Sequence, residues 1–186
     1  MGDLTLITGG ARSGKSAFAE HLATQAALPV TYIATLDPLD DEMRDRVARH
    51  RARRPASWRT VEAGADLAAA ACEVPDAEML LLDCVAVWIS NRLLALRDDE
   101  PTPAVLAPFE ETLTRDVAAF LDVVSARRGP SIVVTNEVGD GVVPPYALGR
   151  AYRDLLGRVN QQVSRAAERA YLVVAGRPLE LPPPFC

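Results

Sequence analysis

The chain has almost no lysine. Of its 20 basic residues all but Lys15 are arginine, and histidine occurs only at His21 and His50. A GC-rich coding bias produces such an arginine excess. The site where lysine persists is then a chemical clue, because a compact ammonium on a slim stem is what arginine cannot replace. Cysteine is also sparse. Cys72, Cys84 and Cys186 form no CxxC pair and have no metal-type spacing, which excludes a disulfide framework or a zinc site and points to a reducing compartment. Aromatic residues make up 5%, and apart from Trp58 they are lacking near the arginine-rich stretch around His50, which argues against a base-stacking surface there. No apolar run approaches the ~20 residues that span a bilayer. MGDLTLITGG reads as a strand entering a glycine loop and not as a signal peptide. Leu6 breaks the myristoylation pattern, and a cysteine in last place cannot be a prenylation box. These absences predict a cytoplasmic protein with no membrane span. The net charge of -5 argues against a general nucleic-acid binder.

What is present is ordinary globular material. The chain has 186 residues, 49% hydrophobic and 24% charged. That length predicts one domain over residues 1–186, burying roughly 70% of its unfolded surface.

Continuous apolar runs predict buried strands at Leu4–Thr8, Val30–Ala34, Met79–Asp83, Ser131–Thr135 and Tyr171–Ala175, with shorter strands at Trp58–Glu62 and Pro178–Leu181. Between them the 3.6-residue pattern predicts helices over Lys15–Ala26, from Asp37 to just before Pro55, and over Asp66–Cys72 and Val85–Leu96. Two longer ones follow over Phe109–Ala126 and Tyr146–Ala170. Asp98–Pro108 and Gly139–Pro145 read as loops. Alternating strands and helices mean an α/β fold, a mainly parallel sheet flanked by helices, with function at the carboxyl ends of the strands.

Gly9–Ser16 reads GGARSGKS and meets every fixed position of the P-loop pattern, with a strand entering and a helix leaving. Its residues are Gly9, Gly10, Ala11, Arg12, Ser13, Gly14, Lys15 and Ser16. The loop N–H groups and the helix N-terminus form an anion cradle. Lys15 reaches the β- and γ-phosphates, and Ser16 holds Mg²⁺. Asp83, after MLLL, is the second magnesium-handling carboxylate, or else a cap on the helix that follows. The loop specifies a nucleoside triphosphate but neither base nor reaction. The base-reading N-K-x-D of signalling GTPases is absent, since Asn136 is followed by Glu137.

Arg46–Pro55 reads RVARHRARRP. On a helix, Met43, Val47 and His50 share the inward face, while Arg44, Arg46, Arg49, Arg51, Arg53 and Arg54 spread over the rest. Cations also suit a helix C-terminus, so an ordinary dipole-matched helix is the competing account. The inward histidine favours chemistry. Neighbouring guanidinium groups keep its imidazole neutral and nucleophilic, and they can bind phosphate oxygens in pairs. His21, further along the first helix, reads as structural or surface.

In order, GGARSGKS, YIAT (Tyr32–Thr35), DDEM (Asp40–Met43), RHRARRP (Arg49–Pro55), WRTVE (Trp58–Glu62), LLLDC (Leu80–Cys84), TNEVG (Thr135–Gly139) and GRVNQ (Gly157–Gln161) resemble the bifunctional adenosylcobinamide kinase / adenosylcobinamide-phosphate guanylyltransferase family of cobalamin biosynthesis. The likeness runs from Leu4 to about Ala175. It implies a P-loop NTPase fold of RecA-like type and a homotrimer. It implies phosphorylation of adenosylcobinamide by ATP or GTP. GMP transfer from GTP to the resulting phosphate follows, through a GMP-histidine intermediate, with release of pyrophosphate. Matched residue by residue, His50 is the nucleophile and Lys15 the other catalytic residue. The nucleotide site comprises Gly9 to Ser16, Thr35, Leu36, Asp37, Arg51, Ala52, Arg53, Arg54, Glu62 and Asp83, and the metal ligands are Ser16 and Asp83. Some relatives have two adjacent histidines where this chain has Arg49-His50, and some have Glu in place of Asp83. Asn136 and Glu137 are second-rank candidates. The two loops, Asp98–Pro108 and Gly139–Pro145, are the candidates for the corrinoid pocket. Two alternatives stand beside this reading: a P-loop kinase with no covalent intermediate, and a nucleotide-gated module whose arginine helix binds RNA or an acidic partner.

Overall fold

The computed structural model describes residues 3–36 and 54–185. Seven strands form one sheet in the order β3-β2-β4-β5-β1-β6-β7. They are β1 (Leu4–Thr8), β2 (Val30–Ala34), β3 (Arg59–Glu62), β4 (Met79–Asp83), β5 (Ser131–Val134), β6 (Arg169–Val174) and β7 (Arg177–Leu181). All neighbours pair in parallel except β6 and β7, which form an antiparallel hairpin. The central strands are apolar throughout because both faces are covered: Ile7, Ile33, Leu80, Leu81, Leu82, Val133 and Val134 are inaccessible to solvent.

Among the described residues the helices are α1 (Lys15–Gln25), α2 (Leu67–Cys72), α3 (Val85–Leu94), α4 (Pro103–Ala126) and α5 (Ala147–Ala166). α1 packs on β1, β4 and β5, whereas α4 packs on α2 and α5, and α3 on α5. The chain leaves β1 in one direction along the sheet to reach β2 and then the edge strand β3, and moves the other way through β4, β5 and β6. With right-handed crossovers this reversal puts α1 on one face and the other described helices opposite. It also makes the carboxyl end of β1 a switch point, where ligands bind in open α/β sheets.

Two predicted boundaries are corrected. The loop expected over Asp98–Pro108 ends early, because α4 begins at Pro103. Proline at the first helical position gives up an N–H that has no intrahelical partner. The Thr102 carbonyl accepts from the N–H groups of Val105 and Leu106, and the helix runs on past Pro108. The helix expected to reach Ala170 stops at Ala166. There the edge of β1 captures the chain: Glu168 N–H donates to the Leu4 carbonyl, and Arg169 and Ala170 pair with Thr5 and Leu6. Strand pairing overrides the helix propensity of an alanine-rich segment. The helix predicted between Asp37 and Pro55 falls almost wholly outside the described residues.

Candidate functional site

The phosphate loop follows β1 directly. At Gly9 a Cβ would lie 2.5 Å from the Val173 carbonyl oxygen and 2.7 Å from Ser13 Oγ, so only glycine fits. Gly14 has φ 98, a left-handed conformation suited to glycine, and it stands one residue before α1. The loop is braced from within by Ser13 N–H to the Gly10 carbonyl (3.2 Å). From outside, Gly176 N–H in the β6–β7 turn donates to the Ser13 carbonyl (2.7 Å). Gly10, Ala11 and Arg12 remain exposed at the mouth, while Lys15 is buried and donates from Nζ to the Gly10 carbonyl (3.2 Å). Ser16 is in the first turn of α1.

Asp83 closes β4, half-buried between the ends of β2 and β5. The bond from Asp83 to Cys84 is a cis peptide. Thr35, buried just beyond β2, clasps this turn. Its hydroxyl accepts from Cys84 N–H (2.9 Å) and donates to the Cys84 carbonyl (2.8 Å). Burial, and then the Asp83 carboxylate, pushes the Cys84 thiol up to about 12, with the Lys15 ammonium among the weaker opposing influences. Lys15 thus stands within electrostatic reach of the Asp83–Cys84 turn. Tyr32 is shifted upward by burial and then by Asp83, and its hydroxyl donates to the Asp83 carbonyl at 3.4 Å.

Thr35, Leu36 and Glu62 line a cleft of about 400 Å³ with Asn91, Arg92 and the turn at Gly64–Ala65. α3 holds its walls. Asn91 Nδ2 donates to the Thr35 carbonyl (2.9 Å), and both Trp88 Nε1 (3.1 Å) and Arg92 Nη1 (3.0 Å) donate to the Ala65 carbonyl. Arg92 is fixed in turn by Asp116 of α4 at 2.7 Å.

Strands are spaced about 4.8 Å apart. By strand order, the end of β5 is therefore about 5 Å from the end of β1, Asp83 about 10 Å, Thr35 about 14 Å and Glu62 about 19 Å. The predicted residues thus run along one edge: the phosphate loop at β1, Asp83 two strands away, and beside it the cleft with Thr35, Leu36 and Glu62. Arg54 stands over the Tyr32 ring, 3.3 Å from its centroid, and 4.0 Å from Glu20 of α1. Asp37, His50, Arg51, Ala52 and Arg53 lie outside the described residues. His21 is exposed on α1.

The end of β5 adds a third component. Thr135 Oγ1 donates to Asn160 Oδ1 (2.7 Å), and Asn160 Nδ2 donates to the Asn136 carbonyl (2.9 Å). Glu137 N–H donates to the Gly9 carbonyl (3.1 Å), and its Oε1 accepts from Gly139 N–H. The loop after it is clamped from α5, by Arg153 on the carbonyls of Gly139 and Gly141 and by Arg150 on those of Pro144 and Pro145. Val142, Val143 and Tyr146 stand exposed along it.

Sequence reasoning missed the bracing groups Asn91, Asn160 and Gly176. The available signal was local: an amide on the inward side of an apolar helix, an Asn inside GRVNQ, and an Ala-Gly pair between two strands. None of these spells out a partner 24 to 163 residues away.

Comparisons with known proteins agree with this architecture. Residues 5–181 match the family described as cobinamide kinase / cobinamide phosphate guanyltransferase. The bifunctional adenosylcobalamin biosynthesis protein CobP of Pseudomonas aeruginosa is 43% identical over 177 residues, covering 95% of each chain. Two proteins named bifunctional adenosylcobalamin biosynthesis protein CobU are also similar. That of Salmonella typhimurium is 40% identical, covering 93% of this chain and 96% of its own. That of Escherichia coli K12 is 39% identical with the same coverage. A solved ATPase from a bacterial type III secretion system aligns with TM-score 0.50 at 14% identity. It covers 92% of this chain and about half (51%) of its own, and the likeness is one of fold alone. On the strength of the family match and these relatives, the chain belongs to the cobinamide kinase / cobinamide phosphate guanyltransferase family.

Proposed function

We propose that this transferase runs two reactions in sequence at the carboxyl edge of its sheet. The first moves the γ-phosphoryl group of a nucleoside triphosphate to the hydroxyl of adenosylcobinamide. The second moves GMP from GTP to the new phosphate, giving adenosylcobinamide-GDP and pyrophosphate. The observation that carries the reading is the intact phosphate loop, with Lys15 buried behind it, in a chain matching this family over nearly its full length.

In the kinase step the loop N–H groups and the N-terminus of α1 hold the phosphates. Lys15 exchanges the Gly10 carbonyl for phosphate oxygens and offsets the charge that develops there. Ser16 and Asp83 supply hard oxygen donors of the kind Mg²⁺ accepts alongside phosphate and water. When bound, that ion screens the phosphate charge and fixes its geometry.

In the transfer step His50 attacks the α-phosphorus of GTP and pyrophosphate leaves. The corrinoid phosphate then displaces the histidine. Arg51, Ala52, Arg53, Arg54 and Asp37 line this nucleotide with Thr35, Leu36 and Glu62. The cleft beside Thr35 and Glu62 is a natural seat for the guanosine end, since it opens on the same edge as the phosphate loop. Of the two loops considered for the corrinoid, Gly139–Pro145 is the better placed. It is rooted on Gly9 through Glu137 and presents Val142 and Val143. No described helix is long and apolar enough to cross a membrane. A single domain, a cytoplasmic location and a homotrimeric assembly complete the reading, and light scattering at three times the chain mass checks the last.

The decisive test uses GTP labelled on its α-phosphate. The protein should acquire label that is acid-labile and alkali-stable, as a phosphoramidate is, and His50→Ala should abolish it. Label that persists in that variant refutes the nucleophile. γ-Phosphate transfer with no labelled protein would instead favour the simple kinase.

A further inference from the structure

The kinase reading leaves one role unfilled: something must take the proton from the alcohol of the acceptor as it attacks the γ-phosphorus. Among the described residues, the carboxylates at the carboxyl edge of the sheet near the phosphate loop are Glu62, Asp83, Glu137 and Asp140, the last exposed on the loop three residues beyond Glu137. Glu62 ends β3, about 19 Å along the edge by strand spacing. Asp83 ends β4, about 10 Å away, and is committed to the metal in that reading. Glu137 follows β5, the strand between β1 and β4, and its main chain is bonded to the first glycine of the loop.

We propose that Glu137 is the general base of the phosphoryl transfer, resting on the kinase reading above. The position is firmly built. Thr135, Asn136 and Asn160 lock the strand end, and Glu137 N–H on the Gly9 carbonyl ties its backbone to the cradle. The carboxylate is half-buried, with Oε1 held by Gly139 N–H, so one oxygen orients the group and the other is left to accept. The exposed apolar side chains of Val142 and Val143 begin three residues beyond Gly139, so a bulky acceptor leaning on that loop brings its alcohol toward the carboxylate.

The step balances. The substrate O–H bond breaks and its proton passes to Glu137. The alcohol oxygen bonds to the γ-phosphorus. The bond from that phosphorus to the β–γ bridging oxygen breaks, leaving the electron pair on the nucleoside diphosphate. The proton then passes from Glu137 to water.

The test separates the two half-reactions. Kinase turnover is followed by γ-phosphate label moving to adenosylcobinamide. Guanylyl transfer is followed with adenosylcobinamide phosphate supplied ready-made, which reports on fold and GTP binding. Glu137→Gln keeps an oxygen to accept from Gly139 N–H but is not basic. It should lower the kinase kcat at least ~100-fold, the usual contribution of a general base. The acidic limb of the kinase pH profile should vanish, and guanylyl transfer should persist. Glu137→Ala should recover kinase turnover on addition of formate or acetate. The base assignment is overturned if Glu137→Gln keeps more than about a tenth of the kinase kcat, or if both activities fall together. It is equally overturned if the pH profile keeps its acidic limb, or if carboxylate does not rescue. A wild-type chain that moves no γ-phosphate would overturn the kinase reading itself.

Discussion

Thr35→Val is nearly isosteric and removes one oxygen from the middle of the site. In the native chain that oxygen accepts from Cys84 N–H and donates to the Cys84 carbonyl, at 2.9 and 2.8 Å. The carbonyl keeps a second partner, Trp88 N–H at 3.3 Å, but Cys84 N–H loses its own. Orphaning a buried N–H costs about 1–3 kcal/mol, and the lost donation adds about 1. The expected destabilisation is about 2–4 kcal/mol, or about 5–15 °C in Tm for a chain of this size. Thr35→Ser is the control, since it keeps both bonds and loses one methyl, about 1 kcal/mol. Urea unfolding of the three proteins with a common m-value measures the difference. Because the turn sets Asp83, Thr35→Val should also weaken magnesium-nucleotide binding more than Thr35→Ser does. Equal stability of the valine and serine variants would refute the reasoning.

Two further outcomes follow from the geometry. Gly9→Ala forces a Cβ against the Val173 carbonyl and Ser13 Oγ, an overpacking of about 1–3 kcal/mol. The unfolding free energy should fall by that amount in urea denaturation with the circular dichroism spectrum unchanged, and distortion of the loop should lower triphosphate affinity in titration calorimetry. Stability should also decline in alkali. Cys84 is raised to about 12 and Tyr152 to about 12, each chiefly by burial, and Tyr32 is raised too. The folded state therefore keeps protons that the unfolded chain releases. The stabilisation is complete below the ordinary thiol range and is lost as pH rises through that range toward 12. Above about pH 9 the thiol contributes a fall of about 1.4 kcal/mol per pH unit. Urea midpoints of Cys84→Ala should show a shallower slope from pH 9 to 10.5.

The sheet was largely legible because its central strands are covered on both faces, which leaves unbroken apolar runs such as MLLL and SIVV. The phosphate loop was legible because its glycines answer to local needs, φ 98 at Gly14 and the crowding at Gly9. Where sequence reading failed, a non-local partner decided the outcome. Glu168–Ala170 looks helical until β1 is beside it. Pro103 looks like a loop residue unless Thr102 is recognised as the start of a helix. The cleft wall depends on Asn91 reaching Thr35, a contact that no motif encodes. The arginine-rich stretch around His50 was the loudest sequence signal, and only Arg54 of its predicted nucleotide-site residues falls among the described ones, resting on Tyr32.

β1 pairs only with β5 and β6, whose first residues are Ser131 and Arg169. During synthesis β1 therefore waits for well over 100 residues before its first neighbour exists. At ~5–20 residues per second that is roughly 6 to 25 seconds. The turn at Gly176 that braces Ser13 is made later still. A ribosome that stalls before the β6–β7 turn would release a chain whose phosphate loop is written but unassembled, so nucleotide binding reports on the chain having reached that turn as well as on the quality of the fold.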